Sequence, residues 1–83
     1  MNCAPNQICL IIAGPNVGGL VLTKTFIGRY YTATATDVWL VETLSGTRSC
    51  LEFNGPYEKG EYIPSGKMGF IRDSSLRPAS FAA

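Results

Sequence analysis

The chain predicts an all-β fold, a small five-stranded barrel in one domain spanning residues 1–83, and three observations lead there. Short runs of apolar and β-branched residues recur with Gly, Pro, Asn or Ser between them. Nowhere do apolar residues repeat with the period of a helix. So few strands must curl to hide two faces, which favours a barrel over an open sheet.

The first run, Gln7-Ile8-Cys9-Leu10-Ile11-Ile12-Ala13, is continuously apolar after Gln7 and lies between Pro5-Asn6 and Gly14-Pro15-Asn16. That pattern suits a strand buried on both faces or paired in the middle of a sheet. Asn16-Val17-Gly18-Gly19 then makes a turn whose glycines take positive φ without strain. In the second strand, Leu20 to Ile27, alternation puts Leu20, Leu22 and Phe26 on one face and Val21, Thr23, Thr25 and Ile27 on the other. Lys24 falls on the leucine face, so it snorkels at an edge or marks a bulge.

Gly28 ends this strand, and the stretch to Thr36 reads as a long loop of the kind that carries function. Asp37 to Leu44 is the clearest strand, closed by Ser45-Gly46, with Arg48 to Phe53 as its expected hairpin partner. Glycines and a proline make Tyr57 to Gly66 a second irregular loop before strand character resumes over Lys67 to Arg72. Asp73-Ser74-Ser75 offers N-cap side chains for one 3-10 turn, pinned by Leu76 and stopped by Pro78. Ala79 to Ala83 is expected to fray.

The order Cys3-Ala4-Pro5, apolar strand, Asn16-Val17-Gly18, Val21, Val38-Trp39-Leu40-Val41-Glu42 and Arg72-Asp73-Ser74-Ser75-Leu76-Arg77-Pro78 resembles that of a group of short bacteriophage and prophage proteins. Those carry C-x-P-G-D at the start, N-x-G before a valine strand, W-x-V in the middle and P-D-x-x-L-R-P near the end. The resemblance runs over nearly the whole chain and rests on turn and core residues rather than an active-site motif. It implies an SH3-like barrel and a phage or prophage setting, and it implies no mechanism. Two departures stand out. Pro5-Asn6-Gln7 replaces Pro-Gly-Asp and keeps a turn former, whereas Arg72 replaces the proline before the tail aspartate and removes a rigid lead into the last turn.

Composition narrows the function. Of 83 residues, 46% are hydrophobic and only 16% charged, against about 25% charged in typical domains. A body this small has too few charges to cover it, so apolar surface stays exposed and marks an interface with a protein partner or a second copy. Net charge is +1 and the seven Lys and Arg are dispersed, so the electrostatic footprint of a duplex-binding protein is absent. A nucleic-acid-binding barrel that stacks single-stranded bases on aromatics remains the alternative reading. Ile8 to Ala13 is too short an apolar run for a signal-peptide core or a membrane span, and with an odd number of cysteines this leads to an expected cytoplasmic location without disulfides.

The chain has no histidine, which removes the commonest general base and metal ligand, so no enzyme activity is expected. Cys3, Cys9 and Cys50 are a poor zinc set, because a closed site wants four ligands and closer Cys-Cys spacing. Cys9 and Cys50 are expected to pack as small apolar side chains on strands, with Cys3 in a mobile start. Glu42 and Glu52 are read as solvent-facing charges, and Gly14 to Gly19 lacks the lysine-hydroxyl ending of a phosphate loop, so no cofactor is expected. Trp39 belongs to the core. Arg29, Tyr30, Tyr31, Tyr57 and Tyr62 flank the two loops and are the candidate partner contacts, since tyrosine and arginine dominate interface hot spots.

Overall fold

A computed structural model of the chain describes residues 1–29, 35–48 and 60–79. Among them five strands form one antiparallel sheet: β1 (Ile8–Ile11), β2 (Leu20–Gly28), β3 (Val38–Ser45), β4 (Met68–Arg72) and β5 (Leu76–Pro78). A 3-10 turn, Asp73–Ser75, joins β4 to β5. The strand order is β4-β3-β2-β1-β5, so this three-residue turn connects the two outermost strands of the sheet. The turn keeps those two edges close at one end. Among the described residues no ladder joins β4 to β5, so the sheet stays open along that seam and the closed barrel expected from the sequence is not formed there.

The all-β class expected from the sequence is the class observed, but two strands are differently assigned. β3 uses both of its edges, pairing with β2 on one side and with β4 on the other through Val38↔Arg72 and Val41↔Gly69. With both edges taken, β3 has no room for the hairpin partner expected at Arg48 to Phe53. Arg48 instead forms an isolated bridge with Tyr62, and residues 49–53 of that expectation lie outside the described residues. The fifth strand is Leu76–Pro78, a segment that the sequence alone assigns to the end of the turn. Its proline suits an edge, where a missing N–H leaves no ladder bond unmade.

Of the two expectations for Lys24, an edge or a bulge, the bulge is observed: Thr23 opposes Val41 and Thr25 opposes Leu40, leaving Lys24 as the extra residue. It reverses the phase of the strand. Phe26 thereby leaves the face of Leu20 and Leu22 and meets Trp39 edge-on at 5.2 Å, whereas simple alternation keeps it with the leucines. Lys24 itself pairs with Glu42 across the strands at 3.4 Å.

One face of the sheet holds the core of Cys9, Ile11, Val21, Trp39, Val41 and Leu76, with Cys3 and Ile71 packed against it. Full burial of one such side chain contributes about 1.5–3 kcal/mol, so these few residues supply much of the stability of a chain this size. Buried threonines extend the same face and act through their oxygens. Thr23 Oγ1 accepts from the Gln7 N–H and donates to the Ala4 carbonyl, fastening the N-terminal segment to β2. Thr43 Oγ1 donates to the Pro64 carbonyl and accepts from Lys67 N, fastening the approach to β4.

Turn chemistry fits the observed backbone. Asn6 has φ 57, the left-handed region that glycine and asparagine tolerate, so a turn forms there. Gly46 has φ 70, and a Cβ on it would lie 3.2 Å from Gly19 Cα, so two loops approach here at backbone contact.

Candidate interaction surface

The second face of the sheet is the unusual feature. Register aligns Ile8, Leu22, Glu42 and Met68 across four strands, with Leu10 opposite Leu20 and Leu40 opposite Phe70 beside them. Leu10, Leu20, Leu22, Leu40 and Phe70 are half-buried, while Ile8 is 40% and Met68 47% exposed. The Lys24–Glu42 pair crosses this field and leaves it locally neutral. β1 is paired in the middle of the sheet as expected, but it is not buried on both faces, since Ile8 and Ile12 reach solvent. An apolar strand with one uncovered face is what a binding surface looks like.

The five residues singled out from the sequence are divided by the structure. Arg29 is exposed just beyond β2, beside the Gly28↔Val38 end of the β2–β3 ladder. Tyr62, 60% exposed, lies beyond the other end of β3, bridged to Arg48, whose guanidinium sits 3.8 Å from its ring centroid. The length of β3, on the order of 25 Å, separates them, so one small patch does not include both. Tyr30, Tyr31 and Tyr57 lie outside the described residues. Arg48 is held in place for the stacking: its Nη1 donates to the Gly60 carbonyl and its backbone N–H to Asn16 Oδ1. An ordered Arg–Tyr stack presents a rigid, amphipathic corner of the kind found at interfaces.

Beneath the opposite face, Asp73 is the organising charge. The expectation that its carboxylate caps the 3-10 turn is not met, because the N-cap position falls on Arg72, which makes no side-chain cap bond. It points inward and accepts hydrogen bonds from Cys3 N at 2.9 Å, Trp39 Nε1 at 2.8 Å and the Asn2 N–H. Burial pushes its pKa up, but these bonds, together with the N-terminal ammonium, outweigh burial and hold the carboxyl below its usual value. Asn2 Nδ2 also donates to the Asp73 and Leu76 carbonyls, so the first residues are tied to the turn. Asp37 takes over the capping role, accepting from Ser74 N and Arg72 Nε. For Asp37 too, burial raises the pKa and the bonds from Ser74 and Arg72 bring it below its usual value. Arg72 thus pairs with Asp37 at 3.2 Å beside the turn.

Cys3 is buried beside Cys9, with the sulfurs 2.8 Å apart, and so does not belong to a mobile start. Cys50 lies outside the described residues. No group of three His, Cys, Asp or Glu among the described residues is arranged to hold a metal ion, and no helix there is long and apolar enough to cross a membrane. Comparison with protein-family models, with curated proteins and with solved structures finds no match for this chain.

Sequence reasoning misses the outer sheet face because it looks to loops for contacts. The signal is present in β2, where Leu20 and Leu22 alternate with Val21 and Thr23 and both faces are therefore free of charge until Lys24.

Proposed function

We propose that the chain is a non-enzymatic protein-binding module, of the phage or prophage type that the resemblance implies, and that it meets its partner with the outer face of the sheet. The observation that carries this reading is the exposure of Ile8 and Met68 at either end of a row whose interior is Leu22 and Glu42, the latter paired with Lys24. Burying such a face yields about 25 cal/mol per Å² of apolar area. A second copy of the chain fits: the face is mostly apolar and its Lys24–Glu42 pair is neutral in itself, with Arg77, opposite Leu10, a cation at its β5 edge. Arg29, Tyr30, Tyr31, Tyr57 and Tyr62 remain the candidate partner contacts read from the sequence.

Sedimentation velocity over a concentration series tests it, comparing the native chain with an Ile8→Lys/Met68→Lys double variant. Both positions are exposed, so the fold tolerates the change, which far-ultraviolet dichroism checks. The native chain should associate with rising concentration and the variant should stay monomeric. A native chain that sediments as a monomer throughout, with the variant indistinguishable from it, would remove self-association through this face.

A further inference from the structure

Cys3 and Cys9 are both buried, and their sulfurs stand 2.8 Å apart, well inside the van der Waals separation of two sulfur atoms. Each is held there by separate structure. Cys3 is placed by its backbone N–H on Asp73 Oδ1, and Cys9 by its position in β1 between Val21 of β2 and Pro78 of β5. A shared metal ion does not account for the contact. The Asp73 carboxylate beside Cys3 already spends its oxygens on the Asn2, Cys3 and Trp39 N–H groups, and no third metal-ligating side chain joins the pair among the described residues. Two uncharged thiols attract each other only weakly. A covalent bond between them satisfies the same placement.

We propose that Cys3 and Cys9 are a thiol–disulfide site, closed by a small-molecule disulfide of the glutathione class. The proposal departs from the expectation, drawn from an odd cysteine count, that the chain uses no disulfide, and it is independent of the proposed binding face. The chemistry runs in two exchanges. One cysteine, deprotonated, attacks a sulfur of the glutathione disulfide, forming a mixed disulfide and expelling one glutathione thiolate. The second cysteine thiolate then attacks the protein-side sulfur, forming the Cys3–Cys9 bond and expelling the other glutathione. The two protein thiols lose two electrons in total, glutathione disulfide gains them, and the two thiol protons end on two glutathione molecules.

Burial, helped by Cys9 and Asp73, pushes the Cys3 thiol up to about 12, and burial likewise raises Cys9. The folded, reduced pair is therefore a slow nucleophile. Exchange takes place while the N-terminal segment is open or the chain is unfolded, and the fold then protects the product. The bond ties the N-terminal segment to β1, holding in place the amides that Asp73 binds.

Peptide mapping tests this on the unaltered chain. Trypsin cuts after Lys24, Arg48 and Lys59, so Cys3 and Cys9 fall together in peptide 1–24 and Cys50 alone in peptide 49–59. The chain is equilibrated in glutathione buffers of graded ratio, approached from both reduced and oxidised unfolded protein, then alkylated, digested and weighed. In parallel the same buffers are used in denaturant. The expected result is a peptide 1–24 that is unalkylated and lighter by two hydrogens, with its closing midpoint in the folded chain shifted at least tenfold toward more reducing ratios than in denaturant. Closure should also raise the melting temperature by about 10 °C. Equal or weaker closure in the folded chain, or a bond from either cysteine to Cys50, would overturn the assignment.

Discussion

Replacing Asp73 with asparagine removes one charge and almost no volume, so the change in stability reports the hydrogen-bond network alone. The carboxylate accepts from three N–H groups, two on Oδ1 and one on Oδ2. An asparagine keeps a carbonyl for only one of these sides, and its NH₂ group then faces a donor. With the carbonyl toward Cys3 and Trp39, the bond to Asn2 is lost at about 1.5–3 kcal/mol, and the two survivors fall from charge-assisted to neutral, at a few tenths to 1 kcal/mol each. Asn2 is exposed and its amide finds water, which limits the penalty. The net loss is about 2–4 kcal/mol at neutral pH, or a melting temperature lower by roughly 10–25 °C for a domain of this size.

Urea unfolding followed by the fluorescence of Trp39, the only tryptophan, measures it. The pH dependence supplies a second check with a definite sign. Because the folded carboxyl is held below its usual value, its contribution is present above the unfolded value of about 3.9 and disappears as pH falls through the folded one. The native chain should therefore lose stability in acid more steeply than Asp73→Asn, and the two should converge at low pH. A loss below about 0.5 kcal/mol at neutral pH, or a difference between the chains that does not change with acid, would refute the network.

Leu76→Ala should cost about 2–5 kcal/mol, because it empties a fully buried site on the three-residue edge strand β5; equilibrium unfolding measures it, and a change under 1 kcal/mol would argue that β5 is not packed. Gly46→Ala should cost at least about 1 kcal/mol, since φ 70 disfavours a side chain and the added Cβ crowds Gly19. Lys24→Met should change stability by less than about 1 kcal/mol, as its pair with Glu42 is partly exposed. Reduced protein should lose stability as pH rises from about 9 toward about 12, because the folded Cys3 thiol stays protonated where the unfolded one ionises; alkaline denaturant titration of reduced and oxidised chains should separate them, the oxidised one lacking this loss.

The strands legible in the sequence are those bounded by glycine, proline and asparagine, and β2 and β3 match it within a residue or two. The Lys24 bulge is legible for a simple reason: a cation on an apolar strand face must reach an edge or sit where the pairing breaks. What the bulge does to Phe26 is not legible, since one inserted residue reverses every later side chain and only pairing reveals where the insertion falls. The partner of β3 is misjudged because proximity in sequence favours Arg48 to Phe53, whereas Met68–Arg72 reaches it across a long connection. Asp73 looks like a cap from its neighbours Ser74 and Ser75. Its inward turn depends on three donors distant in sequence, Asn2, Cys3 and Trp39, which no local pattern announces. The exposed outer face is hidden by the assumption that a doubly apolar strand is doubly buried.

The most direct measurement of the central claim is a concentration series of methyl and amide nuclear magnetic resonance spectra. On the present account, signals from Ile8, Leu22, Leu40 and Met68 shift or broaden together as concentration rises, while those of Ile11, Val21 and Val41 on the buried face stay fixed. Outer-face signals that remain unchanged over the series, or changes confined to other parts of the chain, would contradict it.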